Sequence, residues 1–335
     1  MTSRRDFLAK LGAGAYALSF SAYAQQGRRR IGFLGPLSSP ANATRISALR
    51  AGMLGLGFAE GQNFSIEFRG QDRGVETLNS LAAALARSAV DVIVCHGTAE
   101  TAAAKQATAT IPIVMAAAND AVAMRLVASL QRPGGNVTGA SYSSPQMMQR
   151  RLELLKEAYV PVRRIGVLVN PANPLNEAIL TSLRATAQML KVEVVPLEIG
   201  TRASINNAFA TMVREKVHAF VITDDPLLTQ NAERLAELAR SKRLPAVGPL
   251  EYVEAGGLLA YQPNLTAAWG RAATFVSRIF RGSRVGDLAV EPATRFETVF
   301  NKLGAKAVGI AFPQAMLARA DRVVETGLDD ACRNC

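Results

Sequence analysis

A strand-and-helix pattern that occurs twice along the chain restricts the fold more than any other feature. Short apolar runs rich in β-branched residues alternate with longer segments whose apolar residues recur at helical spacing. The first series begins at residues 30–35 (RIGFLG), and the second begins at residues 164–169 (RIGVLV) with a similar order of elements. Alternation of this kind predicts parallel sheets with right-handed crossovers. The chain is therefore predicted to be an α/β protein with two doubly wound parallel-sheet lobes.

The same patterns predict the individual elements. Apolar runs such as residues 90–95 (VDVIVC) suit strands that are covered on both faces. The predicted strands cover residues 30–35, 64–68, 90–95, 111–115, 136–139, 164–169, 192–197, 219–223, 244–247 and 295–300. The predicted helices cover residues 42–56, 75–87, 98–107, 173–190, 201–214, 229–241 and 265–280.

The 335 residues suit two domains, and the chain is predicted to pass between them more than once. The N-terminal lobe is expected to comprise residues 28–140 plus about 264–290. The C-terminal lobe is expected to comprise residues 141–263 plus about 291–328, followed by a tail at 329–335. Several crossings make a multi-strand hinge rather than a simple tether.

The first 24 residues have the three parts of a secretory signal peptide. Two adjacent arginines, Arg4 and Arg5, precede an uncharged apolar stretch at residues 11–20, and residues 22–24 (AYA) form a small-x-small cleavage site. The apolar stretch is about half of the ~20 residues that a membrane span needs. The arginine pair followed by Phe-Leu resembles a twin-arginine export signal. We therefore expect export to the periplasm, with cleavage before Gln25.

Composition excludes several classes of protein. Hydrophobic residues make up 49% of the chain and charged residues 19%, which indicates a packed globular protein rather than a disordered one. The net charge of +11 is scattered, and its one tight run at residues 28–30 (RRR) is interpreted as a solvated arm rather than a nucleic-acid site. Cys95 is expected in the core, and Cys332 and Cys335 on a fraying tail. The chain is expected to be monomeric, with no nucleic-acid partner.

Polar residues follow the predicted strands, at the edge where ligands bind in open parallel sheets. Ser and Thr hydroxyls beside helix N-termini suit an anion, whereas Asp side chains on a facing lobe suit an ammonium group. A zwitterion such as an amino acid would match both. Helix capping is the alternative role for Thr98, Asn119 and Asp224. The strand-end residues are Ser38, Ser39, His96, Thr98, Asn119, Asp120, Asn170, Asp224, Asp225, the segment 248–251 and Tyr261.

Catalytic and cofactor motifs are hard to find in this sequence. There is no Gly-x-Ser-x-Gly elbow, no zinc-spaced His and Cys cluster and no phosphate-binding loop, so neither a metal nor a cofactor is expected. His218 opens an apolar strand and is expected to be structural. His96 could contact a ligand, and an exported enzyme using His96 with Asp120 or Asp224 remains an alternative. A ligand-sensing domain of a membrane receptor is another.

Several blocks of this sequence resemble the ABC-transporter substrate-binding proteins related to tryptophan- and tyrosine-type binding proteins. The blocks span nearly all of the chain after the predicted signal peptide, and the longest is the most specific. They are residues 58–63 (FAEGQN), 90–94 (VDVIV), 110–114 (TIPIV), 126–139 (LVASLQRPGGNVTG), 151–156 (RLELLK), 252–257 (YVEAGG) and 318–321 (ARAD).

The resemblance implies a type I periplasmic-binding-protein fold, in which two α/β lobes capture a ligand between them. It also implies a solute-binding component of an ABC importer, with an inner-membrane permease as partner, and not an enzyme. The chain departs from the family's usual Gly-Asp-Pro at residues 119–121 (NDA), so we expect an amino-acid-like ligand of unspecified type. The family's pocket positions correspond here to Thr98, Asn119, Asp120, Ser141, Asn170, Asp224 and Tyr261.

Overall fold

The computed structural model describes residues 28–35, 43–70 and 77–325, and it consists of two α/β lobes built around separate sheets. The strands in chain order are β1 (Arg29–Gly35), β2 (Phe64–Gly70), β3 (Val92–Cys95), β4 (Ile113–Asn119), β5 (Val137–Tyr142), β6 (Arg164–Val169), β7 (Glu193–Glu198), β8 (Ala219–Ile222), β9 (Ala246–Gly248), β10 (Leu259–Pro263), β11 (Glu291–Pro292), β12 (Phe296–Asn301) and β13 (Arg322–Val324).

Helices connect most successive strands, as the alternating pattern predicts. They are α1 (Ala43–Gly55), α2 (Leu78–Arg87), α3 (Thr98–Ala107), α4 (Ser144–Ala158), α5 (Asn176–Leu190), α6 (Ser204–Arg214), α7 (Pro226–Gln230), α8 (Ala232–Lys242), α9 (Leu250–Glu254), α10 (Leu265–Phe280), α11 (Lys302–Val308) and α12 (Gln314–Leu317), with a 3₁₀ turn at Val285–Asp287.

Both sheets are dominated by parallel pairs, which confirms the predicted fold class. The N-terminal sheet has the order β11-β5-β4-β3-β1-β2, and all of its pairs are parallel. The C-terminal sheet has the order β13-β12-β10-β9-β8-β6-β7, and β10 with β12 is its antiparallel pair.

Apolar clusters cover both faces of each sheet, which explains why the central strands have so few polar residues. In the N-terminal lobe, Trp269 of α10 stacks on Phe33 of β1 with ring centroids 4.3 Å apart. Helix α10 also lies close to α1, where an added Cβ at Gly52 would come within 2.7 Å of the Ala273 Cβ. Helix α10 therefore belongs to the core of the first lobe, although it lies late in the sequence.

The chain crosses between the lobes at three connections, from β5 to α4, from β10 to α10 and from β11 to β12. The first and third crossings lie about two residues later than the predicted boundaries at 140 and 290. Pairing extends the N-terminal sheet that far, because Asn119 aligns with Tyr142 and Pro292 aligns with Ser141. The crossings form a hinge at the base of the space between the lobes.

Some local elements differ from the expectations. The predicted helix 229–241 is divided into α7 and α8, and Asn231, at the junction, donates its side-chain amide to the Leu227 carbonyl. The elements that were not predicted are helices α4, α9, α11 and α12 and strands β10, β11 and β13. The interpretation of residues 28–30 as a solvated arm is wrong. Arg29 begins β1 and pairs with Asp91 at 3.0 Å, and this pairing orders the segment.

Several predicted features lie outside the described residues, namely the signal peptide at 1–24, Ser38, Ser39 and the cysteines at 332 and 335. Cys95 is buried in the N-terminal lobe, as expected. His218 is exposed and lies outside the interlobe cavity, and its Nδ1 accepts a hydrogen bond from the Arg164 backbone N–H at 3.2 Å. Within the described ranges, no helix has the length and apolar character needed to cross a bilayer.

Candidate functional site

A cavity of about 420 Å³ lies between the lobes, where the carboxyl ends of the strands of both sheets face each other. Its N-terminal wall includes residues that follow β3 and end β4 and β5, and its C-terminal wall includes residues that follow β6, β8 and β9. Met124 contacts the apolar clusters of both lobes. Parallel sheets expose backbone groups and loop side chains at this edge, which is why ligands bind there.

The structure divides the predicted site residues among three places. His96, Thr98, Asn119, Asn170 and Asp224 line the interlobe cavity. Asp120, Ser141 and Tyr261 line a neighbouring cavity of about 610 Å³ beside the hinge. Ser38 and Ser39 are outside the described residues.

On the N-terminal wall, Thr98 and Asn119 form one hydrogen-bonded unit. The Thr98 hydroxyl donates to the Asn119 side-chain carbonyl, and it accepts from the Asn119 backbone N–H at 2.9 Å. Thr98 is also the first residue of α3, so the hydroxyl lies beside the free backbone N–H groups of a helix N-terminus. This wall offers hydrogen-bond donors and a favourable dipole to an anionic group.

His96 and Glu100 are buried in the same wall, near Arg45. Burial lowers the pKa of His96 well below its ordinary value, and nearby Arg45 lowers it further. The ring lies parallel to Trp269 with centroids 6.5 Å apart. Glu100 accepts a hydrogen bond from the Gly97 backbone at 3.1 Å, and burial raises its pKa. His96 therefore presents a neutral imidazole to the cavity at neutral pH.

On the C-terminal wall, Asp224 is held by partners from both lobes. The Arg151 guanidinium, whose side chain is 0% exposed, pairs with Asp224 Oδ1 at 2.8 Å. The Tyr142 hydroxyl, at the end of β5 in the N-terminal sheet, donates to Asp224 Oδ2 at 3.2 Å. Burial raises the pKa of Tyr142 well above its ordinary value, with Asp224 adding to the effect, so the phenol remains a donor.

Two further carboxylates complete this wall. Asp225 accepts from the Leu227 backbone at 2.9 Å as the N-cap of α7, and from the Asn170 side chain at 3.1 Å. Asn170 and Asp225 thus fix the loops of the wall, which agrees with a capping role. Glu251 lies at the beginning of α9, and burial raises its pKa. None of the ion pairs within the described ranges includes Glu251.

The predicted site residues beside the hinge hold its backbone. Asp120 has a left-handed backbone with φ of 40°, and its carboxylate accepts from the Ser144 N–H at 2.8 Å, where α4 begins. The Ser141 hydroxyl accepts from the Ala121 N–H at 3.0 Å. Tyr261 stacks on Phe296 with ring centroids 5.3 Å apart. These side chains shape the crossing points rather than the interlobe cavity.

Sequence reasoning missed Tyr142, Arg151 and Glu251 as members of the site. Arg151 lies in the block 151–156 that resembles the family, but an arginine on a helix ordinarily points to solvent. Tyr142 ends a strand that was predicted to stop at residue 139. Glu251 was within the strand-end segment 248–251, yet its side chain was not singled out. The rule that ligands bind at strand ends could have found Tyr142 and Glu251.

Metal chemistry has no support within the described residues, because no group of three or more His, Cys, Asp or Glu side chains is arranged to hold an ion there. What the arrangement supplies is a cleft with a hydrogen-bonding wall and a carboxylate-bearing wall. Such a fold with such a cleft defines the class of two-lobed solute-binding proteins.

Comparison with known proteins identifies the family. The model of the family described as ABC transporter substrate binding protein matches residues 30–324, so the chain belongs to that family. A tyrosine-binding protein from Clostridioides difficile (strain R20291) is 29% identical over 75% of this chain and 72% of its own length. The chain is thus a solute-binding protein and not an enzyme, and the alternative of an exported enzyme using His96 is wrong.

Two solved structures are similar over almost the same region. A conserved domain protein from Vibrio cholerae O1 biovar El Tor is 28% identical, with a TM-score of 0.77 over 88% of this chain and 99% of its own. A Streptococcus pneumoniae ABC domain in complex with L-Trp is 23% identical, with a TM-score of 0.76 over 89% of this chain and 100% of its own. At that identity, the second similarity concerns the fold alone.

Proposed function

We propose that this chain is the solute-binding component of an ABC importer and that it binds a small polar or zwitterionic, amino-acid-like ligand between its lobes. The single observation that carries the proposal is the cavity of about 420 Å³ lined by both lobes. Its volume is within the ~300–1,000 Å³ range typical of small-molecule sites. A ligand that touches both walls stabilises the closed arrangement over an open one, so binding and hinge closure are linked.

The two walls suit opposite ends of an amino acid. The N-terminus of α3, where Thr98 is the first helical residue, suits a carboxylate, since it offers free backbone N–H donors and a positive dipole end. Asp224 and Glu251 suit an ammonium group. The tyrosine-binding relative supports an amino-acid-like ligand for this chain as well.

The proposal also includes the location of the protein and its partner. The features of residues 1–24 support a cleaved signal peptide and a mature protein in the periplasm. There the protein would act as a monomer and deliver its ligand to an ABC permease of the inner membrane. Membership of an ABC transporter family supports such a partner.

The test uses the mature chain from Gln25 and a panel of the twenty amino acids, with L-tyrosine and L-tryptophan first. At least one should bind by calorimetry, raise the unfolding free energy by about 2.7 kcal/mol at a hundredfold excess over Kd, and be recovered unchanged. It should also reduce the radius of gyration in small-angle scattering. Saturable binding without compaction would contradict hinge closure, and absence of binding by the whole panel would contradict an amino-acid ligand.

A further inference from the structure

A fully buried arginine organises the C-terminal wall of the cavity. The Arg151 Nε donates to the Tyr261 carbonyl at 2.9 Å, and its Nη1 donates to the Ile222 carbonyl at 2.7 Å. Its Nη2 pairs with Asp224 Oδ1 at 2.8 Å. The guanidinium thus joins the carboxyl ends of β8 and β10 to the carboxylate at the wall. The two backbone carbonyls thus hold the guanidinium beside Asp224, where it balances the charge of the carboxylate.

The second oxygen of the same carboxylate reaches across to the other lobe. Asp224 Oδ2 accepts from the Tyr142 hydroxyl at 3.2 Å, and Tyr142 is the last residue of β5 in the N-terminal sheet. The Tyr142 ring packs edge-on to Phe296 of β12, with centroids 6.4 Å apart, so it contacts the C-terminal lobe with its ring as well. Because β5 leads directly into α4, this contact lies at one of the hinge crossings.

We propose that Arg151 and Tyr142 are positioning residues for ligand binding: Arg151 holds Asp224 in its binding orientation, and Tyr142 couples that carboxylate to the closed arrangement of the lobes. The inference rests on the proposed function of the cavity. Asp224 retains 20% of its side-chain exposure and lines the cavity, so it can accept from a ligand while both partners stay in place. Opening of the lobes would separate Tyr142 from Asp224.

Tyr142→Phe tests the coupling, because it removes the hydroxyl and keeps the ring that packs on Phe296. The Tyr142–Asp224 contact should keep part of the ligand-free population closed, so we expect the ligand-free variant to have a larger radius of gyration than the parent in small-angle scattering. We also expect roughly 10-fold weaker binding of L-tyrosine by calorimetry, the effect of one hydrogen bond to a charged group. Tyr159→Phe is the matched control, since Tyr159 lies at the far end of α4 and should match the parent in both measurements.

The scattering measurement needs no ligand and therefore separates the two proposals. If the parent fails to bind L-tyrosine, that ligand is wrong for the proposed function, and the ligand-free radii alone decide the coupling. An unchanged radius of gyration for Tyr142→Phe would overturn the coupling, whether or not L-tyrosine binds.

Arg151→Lys tests the positioning role, because lysine keeps the charge and loses the planar fork. We expect binding of L-tyrosine to weaken 10-fold or more at a temperature where the variant is fully folded. A lower melting temperature with unchanged affinity would mean that Arg151 serves stability alone and would overturn the proposal. If Arg151→Lys does not fold, the double variant Arg151→Met/Asp224→Leu, which removes both charges together, replaces it. Because Arg151 acts through Asp224 in this proposal, the double variant should fold and bind L-tyrosine as weakly as Asp224→Asn alone; a further loss of affinity, or parent-like affinity, would overturn the proposal.

Discussion

The two walls of the interlobe cavity satisfy their polar groups in different ways. On the N-terminal wall, Thr98 bonds Asn119 within one lobe, and His96 stays neutral through burial. On the C-terminal wall, Asp224 carries a charge that is balanced by the fully buried Arg151 and linked to Tyr142 of the other lobe. The N-terminal wall therefore uses neutral hydrogen-bonded groups. On the C-terminal wall, one network holds the charge of Asp224, contributes to stability and makes the contact between the lobes.

The largest effect is expected from breaking the charge balance of the C-terminal wall. Arg151→Met would leave Asp224 without its buried partner and the carbonyls of Ile222 and Tyr261 without their donors. Removal of one partner of a buried ion pair should lower the free energy of unfolding by about 3–5 kcal/mol. Urea unfolding monitored by circular dichroism measures this loss.

The control for this variant is its neighbour on α4. Arg150 pairs with Glu153 at 2.9 Å on the surface, and Arg150→Met should cost at most about 0.5 kcal/mol. Equal losses for the two variants would show that the buried pair has no special role in stability.

The next largest effect is expected in binding. Asp224→Asn keeps the shape of the side chain and removes the charge that suits an ammonium group. Loss of a charge-assisted hydrogen bond of about 1.5–3 kcal/mol should weaken binding roughly 10- to 150-fold. Calorimetry with the best amino acid of the panel measures this change. Asp287→Asn, at an exposed position, is the control and should bind like the parent. Unchanged affinity of Asp224→Asn would mean that the carboxylate serves only Arg151.

A smaller effect on the N-terminal wall depends on pH. The folded pKa of His96 lies well below its unfolded value of 6.5, so the unfolded chain takes up a proton that the folded ring does not. Stability contributed by neutral His96 is therefore present above pH 6.5 and lost as pH falls below it. Relative to His96→Gln, the parent should lose about 1.4 kcal/mol between pH 7.5 and pH 5.5.

Urea unfolding of both proteins at the two pH values measures this difference. Burial raises the pKa of Glu100 and of Glu251, so these two carboxyl groups change the stability with pH in the opposite direction. Both groups are present in parent and variant, and their contributions therefore cancel in the comparison. A difference between the two proteins that does not change with pH would show that His96 titrates as it does in the unfolded chain.

The smallest effect is expected at Thr98. Thr98→Val keeps the side-chain shape and removes the hydroxyl that holds Asn119, so this wall is less ordered for the ligand, and binding should weaken by about 1 kcal/mol, or roughly 5-fold in affinity. Calorimetry at a single pH suffices. Thr181→Val, on the exposed face of α5, is the control. Reduced stability with parent-like affinity would show that the hydroxyl only holds Asn119.

Much of the architecture could be predicted because it depends on local patterns. Apolar β-branched runs gave β1, β3, β6 and β8 nearly to the residue, and their spacing indicated parallel sheets. Strand β10 was missed as a strand, and its antiparallel pairing with β12 joins segments far apart in sequence. No local pattern specifies such a pairing, since the partner strand supplies the hydrogen bonds.

The candidate site was predictable only in part. The rule that ligands bind at strand ends found His96, Thr98, Asn119, Asn170 and Asp224, which all line the interlobe cavity. It did not separate them from Asp120, Ser141 and Tyr261, which lie beside the hinge. Asn119 and Asp120 are neighbours along the chain yet belong to different groups, because the direction of each side chain depends on backbone torsions such as the positive φ of Asp120.

The sequence by itself determined the alternation of strands and helices, the presence of two similar halves and the polar strand ends that face each other, because these features depend on periodicity and residue type. Tertiary structure alone decided that Arg151 is buried, that it faces Asp224 and that Tyr142 reaches the same carboxylate from the other lobe. A buried charge is stable only when distant segments bring compensating groups to it, and that compensation exists only after the lobes have folded and met.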